Sequence, residues 1–198
     1  MRPTLRLGIP LLALWLTGCA SGGDPMNRYL LPPDAAATSS VAATGEPGAS
    51  RSVLVATPRL AGYLNAEGIV LQLDDITLNE AQANLWAAPL SQQIERGLRE
   101  RLAKRLPGRQ VLMSRGNSRD DSVTLEVTLD AFQGRYDGVA VAAGQWLIRD
   151  EDGQVLSTQP FDTEVTLDSD GYPALVRALG LSLDGVADDI ARSLRAQG

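Results

Sequence analysis

Between Val123 and Leu167 the chain holds three strand-length runs joined by turns too short for anything but hairpins. Val123, Leu125, Val127 and Leu129 alternate with Thr124, Glu126, Thr128 and Asp130. A sheet with one wet face requires that period of two. Tyr136-Asp137-Gly138 turns the chain into a second run, Val139 to Arg149. Asp150-Glu151-Asp152-Gly153 is a hairpin signal, and Gln154 to Leu167 is the return strand. Pro160 has no N–H to give to a ladder, so it sends the middle of that strand to an edge or a bulge. An antiparallel meander of this kind has one apolar face and needs a cover.

Two helices can supply it. Leu90, Ile94, Leu98, Leu102 and Leu106 recur every four residues and predict a helix over Leu85–Leu106. Pro89 suits its first turn, and Pro107-Gly108 stops it. Glu95 with Arg99 and Glu100 with Lys104 are spaced as exposed pairs worth about 0.2–0.5 kcal/mol each. The apolar side chains matter more, at roughly 1.5–3 kcal/mol apiece when buried. Pro173 opens a closing helix carrying Leu175, Leu179, Val186, Ile190 and Leu194. Gly180 inside it costs about 1 kcal/mol relative to Ala and predicts a kink. Upstream, Val53-Leu54-Val55, Ile69 to Leu73 and Gln110 to Met113 read as strands, and Leu60 to Asn65 as a helical turn. The expected fold is α+β: a two-layer sandwich, a mainly antiparallel sheet with two amphipathic helices on one face.

The N-terminus has export-signal anatomy. Arg2 and Arg6 precede an apolar stretch, Leu7 to Leu16, and Leu16-Thr17-Gly18-Cys19 reads as a lipobox. The apolar stretch is far short of the roughly 20 residues of a membrane span. The reading is a signal peptide over 1–18, cut before Cys19, with diacylglycerol and an N-acyl chain on that cysteine. One acyl chain holds a protein only marginally, whereas two or three hold it firmly. Ala20 after Cys19 favours the outer membrane, periplasmic face. Residues 19–27 are then a tether and 28–198 a single domain, with a flexible insert at 34–52 rich in small residues.

Composition narrows the chemistry. Cys19 is the only cysteine and there is no histidine. That removes disulfides, Ser-His-Asp and Cys-His catalysis, and histidine-containing zinc sites. No other cofactor or metal is expected. Lys104, the only lysine, lies among Arg101 and Arg105 on a charged helical face, unlike a catalytic amine. Without the signal peptide, 16 basic residues face 24 acidic ones, since the leader holds two of the 18 cations. Net charge −8 disfavours nucleic acid and anionic lipid as partners. The pair Asp120-Asp121 and the run Asp150-Glu151-Asp152 lack the EF-hand spacing and read as solvated turns, and Asp188-Asp189 reads as a wet helix face.

In order along the chain stand Tyr29-Leu30-Leu31 close behind the cysteine, Val53-Leu54-Val55 with Leu60, Tyr63 and Leu64, and then Ile69-Val70-Leu71. Trp86-Ala87-Ala88-Pro89-Leu90, the Val123 strand and the Leu-rich last helix follow. In these the chain resembles the ABC-transport auxiliary lipoproteins of the PqiC type, over nearly the whole mature length. The resemblance implies a non-enzymatic adaptor in intermembrane lipid transport that supports envelope integrity. Its implied partners are an MCE-domain protein of an ABC transporter and further copies of the same chain. Tyr63, Trp86 and Pro89 are then candidate contacts, although the simpler reading of Trp86 and Tyr63 is core packing. Trp146, inside a strand, reads as core.

Two rivals to the adaptor remain. One is an outer-membrane lipoprotein that activates cell-wall synthesis, and the other an envelope hydrolase built on paired carboxylates, which no spacing favours. Tether length separates the adaptor from the activator. If Tyr29 to Leu31 is a strand, the arm from Cys19 to Arg28 spans at most about 30 Å and holds the domain against the membrane. A loose Tyr29 to Leu31 lengthens the arm through Ser52, as reaching the cell wall demands.

Overall fold

The computed structural model describes residues 25–35, 52–114 and 121–196. In chain order come β1 (Asn27–Tyr29), β2 (Ser52–Val55), β3 (Arg59–Leu60), a 3-10 turn (Gly62–Asn65), β4 (Gly68–Gln72) and β5 (Leu78–Trp86). Then follow α1 (Leu90–Arg105), β6 (Val111–Met113), β7 (Ser122–Arg135), β8 (Val139–Arg149), β9 (Val155–Thr166) and α2 (Tyr172–Ala196).

β7 is the spine of the sheet. Its alternation buries Val123, Leu125, Val127 and Leu129. β8 lies antiparallel along one edge, and β9 lies antiparallel outside β8. Along the other edge three short strands follow one another, all parallel to β7. These are β2 beside Ser122–Leu125, β3 beside Thr128–Leu129 and β4 beside Gly134–Arg135. β2 carries β6 outside it, whereas β4 carries β5 and then β1. The sheet therefore forks on that side and curls.

This corrects the expected two-layer, mainly antiparallel sandwich: the sheet is mixed. The cause is the route of the chain. From β5 it returns through α1 and β6 to the start of β7, and a crossover of that length brings strands together in parallel. The meander β7-β8-β9 is as expected, and Pro160 sits in an edge strand.

The expected helix over Leu85–Leu106 is shorter at its start, because Leu85 and Trp86 end β5. Leu90, Ile94, Leu98, Leu102 and Leu106 are all buried, as are Leu175, Leu179, Leu183, Val186, Ile190 and Leu194 of α2. They join Val53, Val55, Val123, Phe132, Trp146 and Ile148 in one core. α2 runs unbroken through Gly180, where a kink was expected.

Between Leu129 and Ala131 the β7–β8 register slips by one residue, leaving Asp130 as a bulge. Gly144 faces the slip, and a Cβ there would overlap the Thr128 carbonyl oxygen. Past the bulge the buried parity changes from Leu129 to Phe132.

The segment expected as an insert over 34–52 yields both its ends to the fold. Asp34 is buried and Ser52 opens β2, while residues 36–51 lie outside the described residues. So do Cys19 and the whole of 1–18.

Candidate functional site

β5 and α1 meet at Trp86-Ala87-Ala88-Pro89. The backbone there is held on both sides: Trp86 N–H donates to the Glu67 carbonyl at 2.8 Å, and Ala87 N–H to the Tyr29 carbonyl at 2.8 Å. Pro89 occupies the N-cap position of α1 with φ −48° and ψ 129° and makes no side-chain cap. Its carbonyl accepts from Gln92 N–H at 3.0 Å and Gln93 N–H at 3.2 Å. Proline has fixed φ and no N–H to leave orphaned, which suits a helix start.

A cleft of about 370 Å³ opens at this junction, with Arg28, Leu60, Glu67, Trp86, Pro89 and Ser91 among its walls. Trp86 is only 5% exposed and belongs to the core, while Pro89 is exposed. Two of the three candidate contact residues therefore meet at one cleft. Trp86 lines it from the core, and Ala87 and Pro89 line it as exposed residues.

Tyr63 does not line that cleft, although Asn65 and Ala66 just after it do. Its hydroxyl stands 2.7 Å from the Asp130 carbonyl and 2.6 Å from Gln133 Oε1, so it satisfies the bulged backbone of β7. Burial and the Asp130 carboxylate push the Tyr63 hydroxyl above its ordinary pKa. Tyr63 is a structural brace, half-buried against the core.

Sequence reasoning missed Gln93. Its side chain is buried, donates from Nε2 to the Ala88 carbonyl at 2.9 Å, and accepts from Leu31 N–H at 2.8 Å. It couples the N-terminal segment to the cleft. A polar residue one step from an apolar helix stripe was the available signal.

The charged face expected around Lys104 divides. Arg101 is 1% exposed and pairs with Asp184 at 2.5 Å, and it also donates to the carbonyls of Pro32 and Gly180. Arg105 pairs with Asp34 and Asp188, each at 2.5 Å, so Asp188 faces α1 instead of only water. Glu95 is buried and accepts from the Thr57 hydroxyl at 2.8 Å, and Arg99 pairs with Glu100. The expected Glu95–Arg99 pair gives way because that turn of α1 packs on the loop after β2. Lys104 itself is exposed.

The acidic turn beyond β8 is a cap. Asp150 Oδ1 accepts from Asp152 N–H at 3.1 Å and Gln154 N–H at 2.8 Å, and Glu151 accepts from Asp121 N–H at 2.7 Å. Among the described residues no helix is long and apolar enough to cross a membrane.

Residues 29–191 match the family described as the ABC-type transport auxiliary lipoprotein component. The chain belongs to this family. It is 36% identical over 187 residues to the intermembrane transport lipoprotein PqiC of Escherichia coli strain K12, covering 94% of this chain and 96% of that one. The Shigella flexneri protein of the same name matches equally. A solved structure of an uncharacterized protein superposes with a TM-score of 0.72 at 32% identity, covering 85% of this chain and 98% of the other. A Xanthomonas campestris structure shares the fold, with a TM-score of 0.60 at 18% identity over 78% of this chain and 94% of its own. The family and its relatives are named as transport lipoproteins and not as enzymes.

Proposed function

We propose that the protein is an outer-membrane-anchored periplasmic lipoprotein that works as a non-enzymatic adaptor of an MCE/ABC-type intermembrane lipid transport system. Acyl chains on Cys19 hold it at the membrane, and its working surface includes the exposed Ala87 and Pro89 beside the Trp86 cleft. An MCE-domain protein and further copies of the chain are the partners, and the role supports envelope integrity.

One observation carries the choice of adaptor over cell-wall activator. Among the described residues the first strand, β1, is already hydrogen-bonded to β5. The eight steps from Cys19 to Asn27 extend at most about 27 Å at roughly 3.4 Å each. A domain on so short an arm stays close to its membrane, where a transport conduit ends, and does not reach through the cell wall. The match to intermembrane transport lipoproteins over nearly the whole chain supports the same reading.

The test has two arms. Mass spectrometry of the mature chain should find acyl chains on Cys19, and Cys19→Ser should leave the outer-membrane fraction. Photo-crosslinkers at Ala87 and Pro89 in intact cells should capture an MCE-domain protein or a second copy. Capture of a cell-wall synthase in their place refutes the adaptor.

A further inference from the structure

The tip of the β4–β5 hairpin carries three exposed apolar side chains around the aspartates of its turn. Leu73 is 51%, Ile76 87% and Leu78 42% exposed. The turn is well built. Leu73 N–H donates to the Thr77 carbonyl at 2.9 Å, and Asp74 Oδ1 accepts from Ile76 N–H at 2.9 Å and Thr77 N–H at 2.7 Å. An Asx turn of this kind holds its shape locally, so it presents Ile76 outward as a fixed feature. The parallel register ends at Gln72↔Arg135, so Leu73 and the exposed Tyr136 of the β7–β8 turn both leave the sheet at this end.

The direction of the N-terminal chain says what this tip faces. β1 is parallel to β5, with Asn27 opposite Asn84. Traced backwards from Tyr29 to Asn27, β1 therefore runs toward the start of β5, which is the hairpin tip. The six steps from Asn84 to Leu78 cover about 20 Å at roughly 3.3 Å per residue. The eight steps from Asn27 to Cys19 reach about 27 Å when extended. A span of that length from Asn27 exceeds the run of β5 from Asn84 to Leu78, so the tip lies within reach of the anchor. Met26, already on that path, is exposed too. The turn Asp150–Gly153 and the start of β2 lie at the opposite pole.

We infer that the hairpin tip, Leu73, Ile76 and Leu78 with Tyr136 beside them, enters the lipid bilayer next to the anchor and so fixes the orientation of the domain on the membrane. This rests on the reading of Cys19 as the acylated residue. An acyl anchor alone is a pivot, and a second apolar contact removes the freedom to swing. Tethering the tip within reach of lipid raises its local concentration there, so modest apolar area suffices. Tyrosine beside an aliphatic tip matches a water–lipid interface. Asp74 and Asp75 lie within the turn, between Leu73 and Ile76, so the contact is shallow with the carboxylates at headgroup level, the favoured surface is zwitterionic, and anionic lipid weakens the contact.

The experiment uses the full acylated chain in vesicles of phosphatidylethanolamine and phosphatidylcholine. With the Cys19 sulfur acylated, Ile76→Cys carries the one free thiol, labelled with an environment-sensitive fluorophore; Asp152→Cys, at the far pole, is the control. The label at position 76 should brighten several-fold and shift to the blue, be quenched by lipid bearing a nitroxide on its acyl chain, and lose part of this response when phosphatidylglycerol is added. The label at 152 should do none of these. A label at 76 as wet as the one at 152 overturns the inference. So does brightening at 76 without vesicles that grows with protein concentration, which assigns the tip to a second copy. The same labels are read on a Cys19→Ser chain held to the vesicles by an N-terminal histidine tag and a chelating lipid. Failure of acylation then sinks the anchor reading separately, while a dry or wet label at 76 in the tagged chain still supports or refutes the tip contact.

Discussion

Pro32 rests against Gly180 so closely that a Cβ on the glycine would overlap the proline Cγ. The two residues join the N-terminal segment to the middle of α2, and Arg101 seals the contact by donating to both of their carbonyls, at 3.1 Å and 3.2 Å. The glycine that helix propensity alone would remove is the one that lets the first strand's continuation lie on the last helix.

Gly180→Ala should therefore destabilise the protein. Helix propensity favours alanine by about 1 kcal/mol. Overpacking against a rigid ring costs typically 1–3 kcal/mol, and proline has no flexible end to yield. The expected net loss is about 1 kcal/mol by chemical denaturation. Pro32→Ala with Gly180→Ala should recover much of it, and a single Gly180→Ala that stabilises would contradict the contact.

Arg101→Ala should cost more, about 3–5 kcal/mol, because it leaves Asp184 beside the hole without its buried partner. Arg101→Met paired with Asp184→Leu removes both charges and should restore a good part. Arg105→Ala, whose partner Asp34 is buried but whose partner Asp188 is largely exposed, should fall between wild type and Arg101→Ala.

Tyr63→Phe should cost about 1 kcal/mol near neutral pH, since it removes the donor that the bulged Asp130 carbonyl and Gln133 share. Its alkaline behaviour is diagnostic. The folded pKa of Tyr63 lies above the ordinary value of 10.0. Stability from that proton is complete below pH 10 and falls as pH rises toward the folded value. Wild type should thus lose more stability than Tyr63→Phe above pH 10, and parallel curves would show that the hydroxyl is not held as described.

At the acid end, the Arg135 guanidinium holds the carboxyls of Asp137 and Glu164 below their ordinary range, through hydrogen bonds at 2.9 Å and 2.5 Å. Depressed folded values mean stability that is present above the ordinary carboxylate pKa and lost as pH falls through the folded ones. Arg135→Gln should flatten the acid limb of the stability profile and leave neutral folding intact, read as melting temperature against pH. Both carboxyls are exposed, so the effect should fade in high salt.

How far the residues could be read depended on whether a pattern was local. The alternation Val123–Leu129 and the stripe Leu90–Leu106 are periodic within one element, and both proved buried as their spacing required. β5 was invisible. Leu78–Trp86 reads LNEAQANLW, with no β-branched residue and a mostly exposed first half. It is a strand because β4 and β1 pair with it on either side, and pairing overrides weak propensity. Of the candidate site, Trp86 and Pro89 were singled out by the family resemblance, with core packing as the other reading of Trp86, but Gln93's two hydrogen bonds were not legible.

The sequence alone determined the meander, the two apolar helix faces, the family, and a lone cysteine behind an apolar leader, because each is written in neighbouring residues. Only the tertiary structure decided that three short strands line up parallel on β7, that Arg101 is buried while Lys104 is wet, and that β1 runs parallel to β5, with its first residue toward the β4–β5 tip. Those relations join residues dozens of positions apart. No local period encodes them, because they follow from how separate apolar faces close around one core.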